Sequence, residues 1–213
     1  CLDALAGAKV FATLDLASGF FQVPLSEGSR EKTAFATPLG VYEWCVMTMG
    51  LCNSLCTFQR LRSLCLRGLH WETCLVYLDD IIVFGKDVEE LIERLRGVFE
   101  RLQQEGLKLK PSKCKFLLES IDYLGHRVSG MGIAPDPSKV SAIRNCPAPK
   151  SVSELQSVLG LANYYRKFIS GFSQIAEPLY QLLRKDVKFE WSRQCEVAFQ
   201  TLKDRLMSPP VLG

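Results

Sequence analysis

Residues 75–84 read Leu-Val-Tyr-Leu-Asp-Asp-Ile-Ile-Val-Phe, which sets two adjacent carboxylates, Asp79 and Asp80, between two runs of branched and aromatic side chains. Runs of β-formers on either side of a polar pair predict a β-hairpin with both acids at its tip. Two anions side by side repel, and packing alone gives no reason to place them there. A divalent cation would remove the repulsion, and hard carboxylate oxygens suit Mg²⁺. An ordinary turn is the other reading, because Asp side chains hydrogen-bond their own backbone and tolerate tight conformations. One hairpin supplies few ligands, so the metal reading requires a further acid. Asp15 is the candidate, at the end of a second β-like run, Phe11-Ala-Thr-Leu-Asp15.

The segments around these acids predict an α+β chain. Residues 10–16 read as a strand, and Gly19 behind it permits a close backbone approach, with Phe20 and Phe21 available as a pocket wall or as core. Residues 33–37 and 41–46 form a hairpin around Pro38-Leu39-Gly40. Gly50 precedes a helix over about 53–67, so free backbone N–H groups there could receive an anion. Asp87 is placed to cap a helix whose apolar stripe is Val88, Leu91, Ile92, Leu95, Val98, Phe99 and Leu102, and Gly106 ends it. A further short hairpin follows over 121–128. Proline-rich stretches near 134–137 and 146–149 suggest a boundary. Beyond them Ser151 and Glu154 have capping-box spacing, and helices are predicted to about 169, over 175–184 and over 193–206.

Composition narrows the class. Hydrophobic residues at 47% and charged residues at 23% fit a globular protein, no apolar run approaches the ~20 residues of a membrane span, and nothing resembles a signal peptide. Nine cysteines predict reduced thiols in an intracellular compartment. Cys52 and Cys56 lack a matching second pair, and His70 and His126 have no zinc-like spacing to them, so both cysteines are expected to be small core residues. The net charge of +3 is modest, but Lys108, Lys110, Lys113 and Lys115 cluster, as phosphate-binding or merely solvated patches do. An opening Cys in place of Met suggests a piece of a longer polypeptide.

Taken in order, the motifs resemble the reverse transcriptases of Ty3/gypsy-type long-terminal-repeat retrotransposons. They are Leu14-Asp15-Leu-Ala-Ser-Gly-Phe-Phe-Gln-Val-Pro-Leu25, Lys32-Thr-Ala-Phe, Gly50-Leu-Cys-Asn-Ser, Thr57-Phe-Gln-Arg60 and Tyr77-Leu-Asp-Asp80. Lys113-Cys-Lys-Phe116, Tyr123-Leu-Gly-His126, the run from Leu159 to Phe168, and Trp191 with Cys195, Ala198, Phe199, Leu202 and Lys203 complete the series. The resemblance implies an α+β right-hand polymerase palm with partial fingers over 1–130, a small helical thumb or connection over 131–185, and the start of an RNase H-like region over 186–213.

It also implies RNA-directed DNA synthesis with two Mg²⁺ ions, for which Mn²⁺ could substitute, held by Asp15, Asp79 and Asp80, with a backbone carbonyl from Leu16. Ala17, Gly19, Phe20, Gly50, Leu51 and Lys113 would meet the incoming deoxynucleoside triphosphate, Phe20 lying under its sugar. Tyr77, Leu124 and Gly125 would meet the template–primer. The expected partners are an RNA or DNA template–primer, dNTPs and the remainder of a Pol polyprotein with its fingers, RNase H and integrase parts, and no membrane. The expected location is intracellular, in a cytoplasmic particle or the nucleus.

Several positions depart from the family pattern. Thr48-Met49 stands where Pro-Phe is usual, Leu55-Cys56 where small residues are usual, and Arg62 at a usually apolar helix position. A buried, unpaired guanidinium there would cost several kcal/mol. These departures, and the absence of the preceding fingers segment, make a non-catalytic remnant the alternative expectation. No acid cluster of an RNase H follows Trp191, so that activity is not expected from these residues.

Overall fold

The computed structural model describes residues 2–77, 80–185 and 187–207. The chain divides into two compact units, Cys1–Glu119 and Ser120–Gly213.

The first unit contains β1 (Val10–Asp15), a short helix α1 (Glu27–Arg30), the hairpin β2 (Phe35–Thr37) and β3 (Gly40–Tyr42), helix α2 (Ser54–Cys65), β4 (Cys74–Tyr77), β5 (Asp80–Gly85), helix α3 (Val88–Gln104) and β6 (Lys115–Leu118). Four of its strands make an antiparallel sheet in the order β4-β5-β1-β6. β5 buries Ile81, Ile82, Val83 and Phe84 in succession, as a strand covered on both faces must. Ala12 and Leu14 of β1 join Ile81 and Val83 in one core with Phe58 of α2 and Leu91, Leu95, Val98 and Leu102 of α3.

The apolar stripe of α3 is narrower than its sequence predicts, since Val88, Ile92 and Phe99 are exposed. The start of α3 is doubly tied: Asp87 Oδ1 accepts from Glu90 N at 2.8 Å, and Glu90 Oε2 accepts from Lys86 N at 2.7 Å. Replacing Asp87 by Ala should therefore cost about 1 kcal/mol, read from the midpoint of urea unfolding at unchanged slope.

The second unit begins with a three-stranded meander, β7 (Ser120–Tyr123), β8 (His126–Ser129) and β9 (Gly132–Pro135), in antiparallel register. Four helices follow, α4 (Pro137–Arg144), α5 (Val152–Tyr164), α6 (Phe172–Gln181) and α7 (Arg193–Met207), around a core of Leu155, Leu159, Tyr165, Phe168, Leu179 and Phe199. Ser151 caps α5 by accepting from Glu154 N, while the Glu154 carboxylate reaches Lys150 N, one residue before the cap. Lys203 is buried with its ammonium over the Phe199 ring and donates to the carbonyls of Arg144 and Cys146 at the end of α4, where a cation suits the helix dipole.

Three expectations change. The two acids do not both sit in the turn, because Asp80 opens β5, opposite Tyr77 of β4. Cys52 and Cys56 are exposed rather than core, along with Cys45, whereas Cys65, Cys74 and Cys195 are buried; every described cysteine is a free thiol. Arg62 is indeed buried, but it is not unpaired: Nη2 donates to Gln59 Oε1 at 3.0 Å and the guanidinium lies 4.5 Å from the Phe58 ring centroid. Among the described residues no helix is long and apolar enough to cross a membrane.

Candidate active site

The register of the central ladder creates the site. β1 ends at Asp15 and β5 begins at Asp80, and antiparallel pairing sets these two residues directly opposite each other at one end of the central ladder. Like charges opposed across a ladder are destabilising unless a cation compensates. Asp79 lies outside the described residues, and among those described no three carboxylate, histidine or cysteine ligands gather at one point.

A cation already attends Asp15. Lys113 Nζ stands 3.2 Å from Asp15 Oδ2, with the lysine side chain about half exposed. Lys113 comes from the lysine-rich segment, which is hooked along the end of β1: Lys110 N donates to Asp15 O at 2.8 Å, Ala17 N to Lys108 O at 2.8 Å, and Leu16 bridges to Leu109. Gln22 locks this junction, accepting from Lys108 N at 2.7 Å and donating to the carbonyls of Ala17 and Lys108. The Asp15 carboxylate, a hard oxygen ligand that already holds a cation, suits a divalent metal.

Asp15, Leu16, Gly19, Phe20 and Lys113, all singled out from sequence, line one cleft of about 190 Å³. Ser18, Met49 and Lys110 complete it; Lys110 belongs to the lysine cluster noted above, whereas Ser18 and Met49 carry no sequence signal for this place. Phe20 packs on Phe58 with ring centroids 4.9 Å apart, while Phe21 is exposed and stacks on Trp44. A Cβ at Gly19 would stand 2.4 Å from Phe58 Cζ, so a larger residue there would have to displace that ring. Gly50 and Leu51 belong to the turn ahead of α2, where Gly50 has φ +92°, and they are not among the cleft's lining residues. Tyr77 is partly exposed at the end of β4, opposite Asp80.

Leu124 and Gly125 lie in the second unit, as the two-residue turn between β7 and β8. His126, next in sequence, is buried among the rings of Tyr164, Tyr165 and Phe168, and its Nδ1 meets Leu124 O at 2.7 Å. Among the described residues its Nε2 has no hydrogen-bond partner. Burial pushes its pKa below the ordinary 6.5, against a smaller opposing effect of the Leu124 carbonyl and with a further push from Lys167. Asp136 is an acid whose charge bears on this cluster, through Tyr165.

A histidine kept neutral by folding binds its proton more tightly when unfolded. Its contribution is therefore complete above about pH 6.5 and is lost as pH falls through the lowered folded-state pKa. The thermal midpoint should drop as pH falls below the ordinary histidine pKa of about 6.5, and His126→Phe should flatten that part of the profile.

Comparison with known proteins gives a consistent result. Residues 1–128 match the family model described as reverse transcriptase (RNA-dependent DNA polymerase). The chain is 42% identical over 212 residues to the retrovirus-related Pol polyprotein from transposon 297 of Drosophila melanogaster, covering 99% of the chain and 20% of that protein. It is 37% identical over 211 residues to the corresponding polyprotein from transposon 412, covering 99% of the chain and 17% of the relative. The chain thus spans about a fifth of the length of these curated relatives. Among solved structures, the foamy viral protease-reverse transcriptase dRH in complex with double-stranded DNA superposes with a TM-score of 0.83 at 28% identity, over 96% of this chain and 36% of that one. The foamy viral protease-reverse transcriptase in complex with an RNA/DNA hybrid gives 0.75 at 28% identity, over 96% and 28% of the two chains.

Proposed function

The chain belongs to the reverse transcriptase (RNA-dependent DNA polymerase) family, and from that membership we propose that it forms a polymerase centre that adds deoxynucleotides to a primer 3′-hydroxyl along an RNA or DNA template. The observation that carries this reading is the opposition of Asp15 and Asp80 across one ladder, with Lys113 on Asp15. Asp15 and Asp79 would hold two Mg²⁺ ions with Asp80 assisting, and the Leu16 carbonyl would add an oxygen. When bound, Mg²⁺ makes the 3′-hydroxyl a better nucleophile and neutralises charge on the triphosphate.

The chain's own residues supply the remainder. Lys113 neutralises Asp15 before substrate arrives, and its ammonium is then available to take charge from the departing pyrophosphate or to give it a proton. Phe20, backed by Phe58, would form the floor under the nucleotide sugar, with Gly19 and Ala17 keeping the turn beneath it close. Gly50 and Leu51 would pack beside the base pair, and Tyr77, Leu124 and Gly125 would contact the template–primer. Solved relatives with bound DNA or RNA/DNA hybrid support that choice of partner.

A 2′-hydroxyl would meet the Phe20 ring. Phe20→Ala should therefore narrow the preference for dTTP over UTP by about tenfold or more, measured as the ratio of kcat/KM values. The reading itself is tested by incorporation of dTTP on poly(rA) primed with oligo(dT), with Mg²⁺ and with chelator. Extension that requires the divalent ion supports it. A folded chain that binds the template–primer and never extends it would leave a nucleic-acid-binding module instead.

A further inference from the structure

The turn that joins β7 to β8 is unusual for its sequence. Tyr123 pairs with His126, so Leu124 and Gly125 form a two-residue hairpin loop, with φ +49° and +69°. Positive φ at both positions is the type I′ pattern, which favours Asn-Gly or Gly-Gly. A leucine at the first position is strained in the left-handed region and persists only where its surroundings hold it.

The groups that hold it come from the end of α5, from β8 and from the residue that caps α4. Tyr164 Oη donates to Leu124 O at 2.5 Å, and His126 Nδ1 reaches the same carbonyl at 2.7 Å. Tyr165 Oη donates to Gly125 O at 2.7 Å, and Asp136 N donates to it at 3.1 Å. Consecutive tyrosines thus hold consecutive carbonyls of the turn across 40 residues of chain. The two rings meet edge to face at 4.9 Å, and a Cβ at Gly125 would stand 3.3 Å from Tyr165 Oη and 3.4 Å from Tyr164 Cε1. Tyr165 is buried, and burial pushes its pKa up to about 12, so the hydroxyl keeps the proton it donates. Tyr164 is half exposed, so its hydroxyl could have been satisfied by water alone.

A peptide group is planar and trans, so turning the Leu124 carbonyl toward Tyr164 turns the Gly125 N–H the opposite way. That N–H is the kind of donor that a phosphodiester oxygen accepts.

We propose that Tyr164 and Tyr165 are positioning residues for the primer strand, fixing the Leu124–Gly125 turn through its two carbonyls so that the backbone beyond them meets the primer. This rests on the reading of that turn as a primer contact. Loss of either hydroxyl removes one of the two hydrogen bonds on a carbonyl, leaving His126 Nδ1 alone on Leu124 O or Asp136 N alone on Gly125 O, and loosens the hold on the left-handed turn, while the rings continue to fill the core.

The test uses the full chain with Tyr164→Phe, Tyr165→Phe and the double variant, with Tyr180→Phe as an outside control and Gly125→Val as a direct disruption of the turn. Affinity is read by fluorescence anisotropy on a labelled RNA/DNA primer–template and on the unprimed RNA strand. Each tyrosine variant should weaken primer–template binding by about fivefold, the loss expected for one net hydrogen bond, and the double variant by more. Binding to the unprimed strand should change less than about twofold, a split that a general loss of folding would not produce. If Gly125→Val weakens primer–template binding and the tyrosine variants do not, the positioning role is overturned and the turn remains a primer contact. If Gly125→Val also leaves the affinity unchanged, the primer reading of the turn fails with it.

Discussion

Replacing Asp15 by Asn should reduce primer extension by at least about 10³-fold while leaving the thermal midpoint within a degree or two of the parent. Asparagine keeps the shape and the ladder position of Asp15 but removes the charge that makes the end of β1 a cation site. The bond lost with Lys113 is a half-exposed ion pair, and such pairs contribute little. Removing one of two opposed anions also relieves cross-strand repulsion, so any change in stability should be small and upward. A fall in activity that tracked a fall in folded fraction would contradict this assignment. The measurement is single-nucleotide addition at saturating template–primer, paired with a melt of the same preparation.

The largest loss of stability should come from a single methyl group on the partner strand β5, at the end away from Asp80. Gly85 closes β5 where the chain turns into α3, and a Cβ there would stand 2.8 Å from Leu91 N and 3.0 Å from Asp87 O. Both neighbours are backbone atoms of a helix start tied by Asp87 and Glu90, so neither can swing aside as a side chain would. Gly85→Ala should cost about 3 kcal/mol, at the upper end of ordinary overpacking. Gly97, inside α3 with nothing within 4 Å of its would-be Cβ, is the matched control. There the same substitution should stabilise by about 0.5–1 kcal/mol, because it removes only the helix penalty of glycine. Urea unfolding of both variants, with equal slopes, would separate a steric cost from a general intolerance of alanine.

The central hairpin, α3 with its Asp87 cap, the Ser151 cap and the helices beyond it were legible because each carries its own local signal: β-formers around a polar pair, a 3.6-residue period, a capping residue three before a Glu. The cross-strand pairing of Asp15 with Asp80 was legible only as a need for a third acid. Sequence fixes that a strand ends in an acid, but register depends on the partner strand. β6 was not legible, since Lys115-Phe-Leu-Leu118 is short, does not alternate, contains Leu117 at φ +53° and joins β1 through an irregular register. Gln22 and Phe58 act through contacts far off in sequence, and neither residue type announces such a role. The pairing of Arg62 was missed because Gln59 and Phe58, one turn earlier on the same helix, look like an ordinary polar and apolar pair. Cys52 and Cys56 were placed inside on residue type, which says nothing of which helix face meets the core.

Nucleotidyl transfer on Asp15, Asp79 and Asp80 is tested most directly by primer extension. Extension of an oligo(dT) primer on poly(rA) with dTTP and Mg²⁺ should be followed for the parent chain and for an Asp79→Asn, Asp80→Asn double variant, each shown to be folded by circular dichroism. Extension by the parent that the double variant loses is the expected result. Equal extension by both would contradict the placement of catalysis on these acids, and absence of extension by the folded parent would contradict the claim that this chain is itself a polymerase.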